Sequence, residues 1–300
     1  MRLDGVLFFP VTPFAADGSL NLRGLAEHVA DGVAAGPGGV FAACGTGEFN
    51  ALSLDEYAAV VATTVEAVGG RVPVISGAGG SLPFAQACAG AAARAGAEGL
   101  LLMPPYLVTA PASGLVEYVR QIAQVTDLPI IVYQRGTARF TPDAVVELAE
   151  LPNVIGFKDG LGDIDLLQRI ILRVRQATDR EFTFFNGLPT AELTVPAYRG
   201  LGVPLYSSAV FAFAPEIALA FYKAITDGDE LLTRRLLTKF YLPLVDLRDR
   251  VPGYAVSLVK AGVRLRGLDA GTVRAPLVDP TPEHITTLAQ LIEAGLAIAS

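Results

Sequence analysis

The sequence predicts an α/β fold, a (β/α)8 TIM barrel with a C-terminal helical extension, and three observations carry that expectation. Eight short β-rich runs alternate with helical patterns at a spacing of roughly 25 residues, as βα units require. Several of the runs are continuously apolar, the mark of strands buried on both faces. From residue 215 to the end only helical patterns remain.

The strand runs fall at residues 6–11, 39–43, 73–76, 99–103, 129–133, 154–158, 182–185 and 204–207, and Gly or Pro often marks their ends. Among the intervening helices, Ser53-Leu54-Asp55-Glu56 opens one with a Ser cap and a Glu three residues on, a capping box. The segment 83–95 is dense in Ala, as suits a helix packed closely on a barrel wall. Thr141-Pro142-Asp143 opens another helix, with Thr at the cap and Pro at the first helical position. Beyond the last strand, helical patterns cover 230–247, 255–265 and 282–299. Residues 1–228 are therefore expected to form the barrel, and 229–300 a helical extension packed on it as one structural unit.

With 52% hydrophobic residues in 300, the chain has ample material for one large core. A net charge of −7 and a pI near 5.0 argue against nucleic acid as a partner, because phosphate binding needs clustered Lys and Arg. An acidic surface does not steer anions from afar either, so any carboxylate specificity must be local to a pocket. Two cysteines, Cys44 and Cys88, are too few for a disulfide framework and fit a reduced compartment. Met1-Arg2-Leu3-Asp4 carries a carboxylate where an export signal continues apolar, and no uninterrupted apolar run of about 18 residues occurs. The expectation is a soluble, cytoplasmic protein without a membrane span.

In such a barrel the chemistry sits at the C-terminal ends of strands. The polar groups there are Cys44-Gly45-Thr46-Gly47-Glu48, Tyr133-Gln134-Arg135, Lys158-Asp159-Gly160, Asn186-Gly187 and Ser207-Ser208. Only four lysines occur, and Lys223, Lys239 and Lys260 fall in helical patterns, where a solvated or snorkelling side chain is the ordinary reading. Lys158 ends a strand, where its ammonium must leave water; desolvation favours the neutral amine, the nucleophile of imine formation. The competing reading is a structural Lys paired with Asp159 or Asp163. Tyr133, ending the preceding strand, has the position of a proton relay, although an ordinary barrel tyrosine bonded to backbone fits as well. Gly45, Thr46 and Gly47 offer unshielded N–H groups and a hydroxyl, a set suited to a carboxylate; a tight turn explains the same residues. Glu48 reads as a structural acceptor holding that loop by its backbone amides.

No metal site is expected, since His28 and His284 lie in helical patterns without partners at ligand spacing. Gly77-Ala78-Gly79-Gly80 lacks the full dinucleotide fingerprint, and Ser207-Ser208 has neither a nearby His nor a nucleophile elbow.

Taken together, Gly45-Thr46-Gly47-Glu48, Tyr133, Gly156-Phe157-Lys158-Asp159 and Ser208 resemble, in order and spacing, the dihydrodipicolinate synthase / N-acetylneuraminate lyase family, over essentially the whole chain. The resemblance implies that Lys158 forms an imine with a small keto acid and that Tyr133 relays protons. It also implies substrate contacts from Gly45, Thr46, Gly47, Gly187, Ser207 and Ser208, no cofactor, and a homo-oligomer, usually a tetramer. Segments such as Phe157-Lys158-Asp159-Gly160 and Phe185-Asn186-Gly187-Leu188-Pro189-Thr190 resemble the branch that removes water and CO₂ from a keto-deoxy diacid. An aldolase of the family and a non-catalytic keto-acid binder stand as alternatives. Three departures speak against dihydrodipicolinate synthesis or are unassigned: Pro105-Tyr106-Leu107 lacks a second Tyr, the Arg after strand five is displaced to Arg135, and Ala212 replaces a common Asn.

Overall fold

Runs of Val, Ile, Leu and Phe, apolar on both faces, must be covered on both, and here they pair edge to edge until the sheet closes. The computed structural model describes residues 3–105 and 108–300. Eight parallel strands form a closed barrel in chain order: β1 (Leu7–Phe8), β2 (Gly39–Ala42), β3 (Val74–Ala78), β4 (Gly99–Leu102), β5 (Ile130–Gln134), β6 (Val154–Asp159), β7 (Thr183–Asn186) and β8 (Leu205–Ser208). Closure is made by β1, which pairs with β2 on one side and β8 on the other. The one strand that falls well short of expectation is this first one. Pro10 has no N–H to give to a ladder, and the N–H of Val11 goes instead to His28 Nε2, 3.3 Å away.

The strands' two faces carry two separate packings. Leu7, Phe9, Phe41, Ile75, Leu101, Ile131, Tyr133, Phe185 and Leu205 fill the lumen. Their sequence neighbours, such as Phe8, Val40, Leu100, Val132, Phe157 and Tyr206, face the surrounding helices. Those helices are α1 (Leu22–Ala34), α2 (Leu54–Val68), α3 (Leu82–Ala95), α4 (Ala112–Ala123), α5 (Pro142–Glu150), α6 (Ile164–Ala177), α7 (Val195–Gly200) and α8 (Pro215–Asp227). Both expected starts are present: Ser53 and Glu56 form the reciprocal capping box of α2, and Thr141 caps α5 with Pro142 following. Gly32 of α1 has a positional reason, since a Cβ there would lie 2.2 Å from the Phe8 ring.

After α8 the chain continues as α9 (Glu230–Leu236), a π-helical stretch Leu237–Tyr241, α10 (Leu242–Arg248), α11 (Tyr254–Leu265) and α12 (Pro282–Ala299). The single helix expected over 230–247 is thus broken by the π turn. Pro243 explains it: its ring displaces the carbonyl one turn back and it donates no hydrogen bond, so the preceding turn widens. Among the described residues, no helix is long and apolar enough to cross a membrane.

One buried acid makes the fold pH-sensitive. Glu192, on the turn before α7, accepts from the Ser208 hydroxyl at 2.6 Å, while its second oxygen has no partner among the described residues. Burial pushes its carboxyl up to about 7. The folded state therefore holds a proton that the unfolded chain releases above about pH 4.5, so this contribution is full below that value and lost as pH rises through 7. We expect the stability of the parent protein to fall by about 2 kcal/mol between pH 5 and pH 8 on this account, and Glu192→Gln to lack that fall. Urea unfolding of both proteins at the two pH values measures it; parallel changes in parent and variant would exclude Glu192 as the cause.

Candidate active site

Successive residues of a strand point to opposite faces, and that parity sorts the candidates. Phe157 packs outward and Lys158 therefore points into the lumen, next to Tyr133, its register partner on β5. On its other side Lys158 is in register with Phe185. The lysine is 5% exposed, and its Nζ lies 4.5 Å from the ring centres of both Phe9 and Tyr133. Among the described residues no carboxylate lies within ion-pair distance of it.

Neither acid offered as a structural partner from the sequence is one. Asp159 points outward, where it accepts from Gln134 Nε2 (3.0 Å), the N–H groups of Leu161 and Gly162, and the Tyr198 hydroxyl. Asp163 caps α6 through the N–H of Leu166. Desolvation lowers Lys158 to about 7, and the positive charge of Arg135 pushes the same way. A Cys44 thiolate would oppose this, but burial pushes that thiol up to about 12, so at neutral pH it carries no charge. A large share of the Lys158 amine is uncharged at neutral pH.

The Tyr133 hydroxyl donates to the carbonyl of Gly187 at 2.6 Å and accepts from Arg135 Nη1 at 3.2 Å. Burial raises its pKa while Arg135 pulls it back down. Gly187 was expected to bind substrate, but both its backbone polar groups are engaged within the protein, the N–H donating to Asp159 O at 2.6 Å. Its contribution is clearance. A Cβ there would sit 2.7 Å from Tyr133 Cε2 and 2.8 Å from Lys158 Cε. Gly187→Ala should therefore displace both side chains and lower kcat about a hundredfold, since a misplacement of an ångström at a reacting group costs that much. Steady-state kinetics with a melting curve tests this: unchanged kcat in a folded variant would show that the lumen tolerates the methyl group.

At the mouth beyond β2, the loop turns through two left-handed residues, Ala43 (φ 47°) and Glu48 (φ 57°). Gly45 is exposed and Thr46 half-buried, and none of the N–H groups of Gly45, Thr46 and Gly47 has an acceptor among the described residues. Thr12 Oγ1 holds the loop by donating to Gly47 O at 2.7 Å. Glu48 is a structural acceptor as expected, but its partners are not the loop's own amides. Its Oε1 pairs with Lys260 Nζ at 2.7 Å and its Oε2 accepts from the N–H of Arg274 at 2.8 Å. Lys260 is correspondingly not solvated: it is 0% exposed, on α11, over the Phe14 ring. The helical extension thus clamps the mouth loop from behind.

The serine pair divides by the same parity. Leu205 lines the lumen and Tyr206 packs outward, so Ser207 points inward and Ser208 outward. Ser208, expected beside the substrate from its position after strand eight, does not reach the lumen; its hydroxyl donates to Glu192 and accepts from the N–H of Phe211. Arg135 is the group whose place was not foreseen. Its signal was parity again, two residues beyond a lumen-facing tyrosine. Beside the ends of β7 and β8 a cavity opens, lined by Pro189, Thr190, Ala209, Val210, Phe213 and Arg248 among others. His28 and His284 each bond within the protein, to Val11 N–H and to the Tyr254 hydroxyl. Tyr106 and Leu107, which carry one of the departures in sequence, lie outside the described residues.

Comparison with known proteins agrees with this geometry. The profile of the dihydrodipicolinate synthetase family matches residues 2–295. A protein of Streptomyces avermitilis named probable 5-dehydro-4-deoxyglucarate dehydratase 1 is 58% identical over 294 residues, covering 98% of this chain and 94% of its own. A probable 5-dehydro-4-deoxyglucarate dehydratase of Paracidovorax citrulli is 47% identical, with 96% and 94% covered. Among solved structures, dihydrodipicolinate synthase from Oceanobacillus iheyensis superposes with a TM-score of 0.88 at 26% identity, covering 97% and 96%. YagE of E. coli K12, a prophage protein of the same family solved in complex with pyruvate, gives 0.86 at 26% identity, covering 97% and 98%.

Proposed function

The chain belongs to the dihydrodipicolinate synthetase family, and on that premise we propose that it is a Schiff-base lyase, a 5-dehydro-4-deoxy-D-glucarate dehydratase releasing water and CO₂ to leave 2,5-dioxopentanoate. The observation that carries the reading is the uncharged-leaning Lys158 amine, buried beside the Tyr133 hydroxyl with no counter-ion among the described residues. Relatives named for that reaction, at 56–58% identity over nearly the whole chain, supply the substrate.

In this mechanism Lys158 attacks the keto carbon C5, next to the C6 carboxylate, and Tyr133 protonates the departing carbinolamine hydroxyl. The iminium acidifies C4–H; its proton passes to the Tyr133 oxygen, and the enamine expels the C3 hydroxyl, which takes that proton and leaves as water. The conjugated iminium then accepts the electron pair of the C1–C2 bond as CO₂ departs. The enol left at C2 becomes the aldehyde, C4 is reprotonated, and hydrolysis frees the lysine. The imine is the electron sink, so no cofactor enters the scheme.

The C6 carboxylate is held by the N–H groups of Gly45, Thr46 and Gly47, with the Thr46 hydroxyl as one further donor, and Ser207 faces the distal half. Loss of one hydroxyl donor to a charged group costs about 1.5–3 kcal/mol, so Thr46→Val should raise KM at least tenfold with a smaller effect on kcat. An unchanged KM would remove Thr46 from the carboxylate site. We also place the enzyme in the cytoplasm, from its cysteine usage, and by family resemblance take it as a homo-tetramer, with residues 229–300 as an extension of the barrel. Light scattering on the purified protein checks the assembly. The reaction itself is tested by incubating enzyme with the keto-deoxy diacid and identifying products by mass spectrometry. Loss of both water and CO₂ is expected; pyruvate with an aldehyde would mean an aldolase, and no turnover a binder only.

A further inference from the structure

The mouth of the barrel beyond β5 carries a cation on a fastened turn. Gln134 ties the turn at its base, accepting from the N–H of Phe140 at 2.9 Å and donating to Asp159 Oδ1 at 3.0 Å. Arg135 and Ala138 bridge across it, and Gly136 turns the chain at φ 61°. Thr137 Oγ1 fastens the outer side to Val108 O at 3.0 Å. From this turn the Arg135 guanidinium reaches back to the Tyr133 hydroxyl, whose own proton is directed at Gly187 O. The oxygen is therefore held between a carbonyl that fixes its proton and a cation that faces its free lone pair.

We propose that Arg135 is a positioning residue for Tyr133, holding its oxygen in place beside the Lys158 amine and steadying its phenolate between proton transfers. This rests on the imine reading above. In that scheme Tyr133 gives its proton to the carbinolamine hydroxyl, which leaves as water, and stands as a phenolate until it takes the proton from C4. A buried phenolate is costly unless a positive charge and a hydrogen-bond donor face it, and one guanidinium provides both. The same charge disfavours an ammonium at Lys158, so it acts on the two groups in the direction that each needs. The shifts caused by Arg135 at the two sites have these signs: downward at Tyr133 and downward at Lys158. Because Arg135 is exposed, solvent screens part of its field, and the effect is a tuning rather than an on-off switch.

The test is kinetics of Arg135→Gln and Arg135→Lys across pH, with borohydride trapping of substrate on the same proteins. Arg135→Gln should lower kcat roughly ten- to a hundredfold and move its pH profile alkaline by about half a unit, since the amine regains affinity for a proton. Trapping should still label Lys158, but with its own profile moved the same way. Arg135→Lys should bring the profile back towards that of the parent. If Arg135→Gln kept the parent's pH profile and only raised KM, Arg135 would be a ligand for substrate carboxylate and the proposal would be overturned; unchanged kinetics would overturn it equally. Failure of the parent protein to be labelled at Lys158 would instead refute the imine reading, independently of Arg135.

Discussion

Lys158→Met should lose turnover by at least about 10⁴-fold and yet give a more stable protein. The first effect follows from removing the nucleophile in a mechanism where the imine is also the electron sink. The second follows from the cost of keeping an amine in an aromatic lumen. Folding lowers Lys158 from its ordinary 10.5 to about 7. The unfolded chain thus binds a proton that the folded one partly releases, a penalty present at pH 7 and relieved as pH rises towards 10.5. Methionine fills nearly the same volume without a charge, so a gain of roughly 3 kcal/mol at pH 7 is expected, shrinking at alkaline pH. Kinetics and urea unfolding at pH 7 and 9.5 measure both. Borohydride with substrate should add mass to Lys158 of the parent and to nothing in the variant. Lys260 is no competitor, because it lies fully buried on α11, paired with Glu48 behind the mouth loop. A variant that turns over, or an adduct found on Lys260, would refute the assignment.

How far the sequence reaches is set by which interactions are periodic. Doubly apolar runs and the caps at Ser53 and Thr141 are local signals, and barrel order and helix starts followed from them. That Lys158 and Tyr133 stand side by side at the lumen's mouth was legible because a strand end is itself a position in the barrel. Parity along the strand was equally available and decided three further cases: Asp159 turned away from Lys158, Ser208 away from the lumen, and Arg135 towards Tyr133. The pair Glu48–Lys260 was not legible by any such rule. The two residues stand 212 apart in the chain, and a lysine in a helical pattern ordinarily reaches water. Only the packing of α11 behind the mouth loop gives that ammonium a partner. Gly187 is similar, since the reason for a glycine there is the approach of Tyr133 and Lys158 from two other strands.

The remaining large effect concerns Tyr133. Phenylalanine there keeps the ring under the Lys158 amine and removes the oxygen that donates to Gly187 and accepts from Arg135. If that oxygen carries protons to the carbinolamine and from C4, its loss is felt in transition states and hardly in substrate binding. We expect kcat to fall by about 10² to 10⁴-fold with KM nearly unchanged. Folding stability should drop by only about 1 kcal/mol, the usual net worth of a lost hydrogen bond. The amine itself is still present, so borohydride should still label Lys158, only more slowly, because carbinolamine collapse then depends on water as the acid. This pattern separates a relay from a merely structural tyrosine, whose loss would disturb stability and binding while sparing kcat. The measurement is kcat and KM for Tyr133→Phe beside the rate of adduct formation at Lys158. Near-normal kcat would show that protons travel by another route, and failure to form the adduct in a folded variant would place Tyr133 in shaping the lysine's pocket instead.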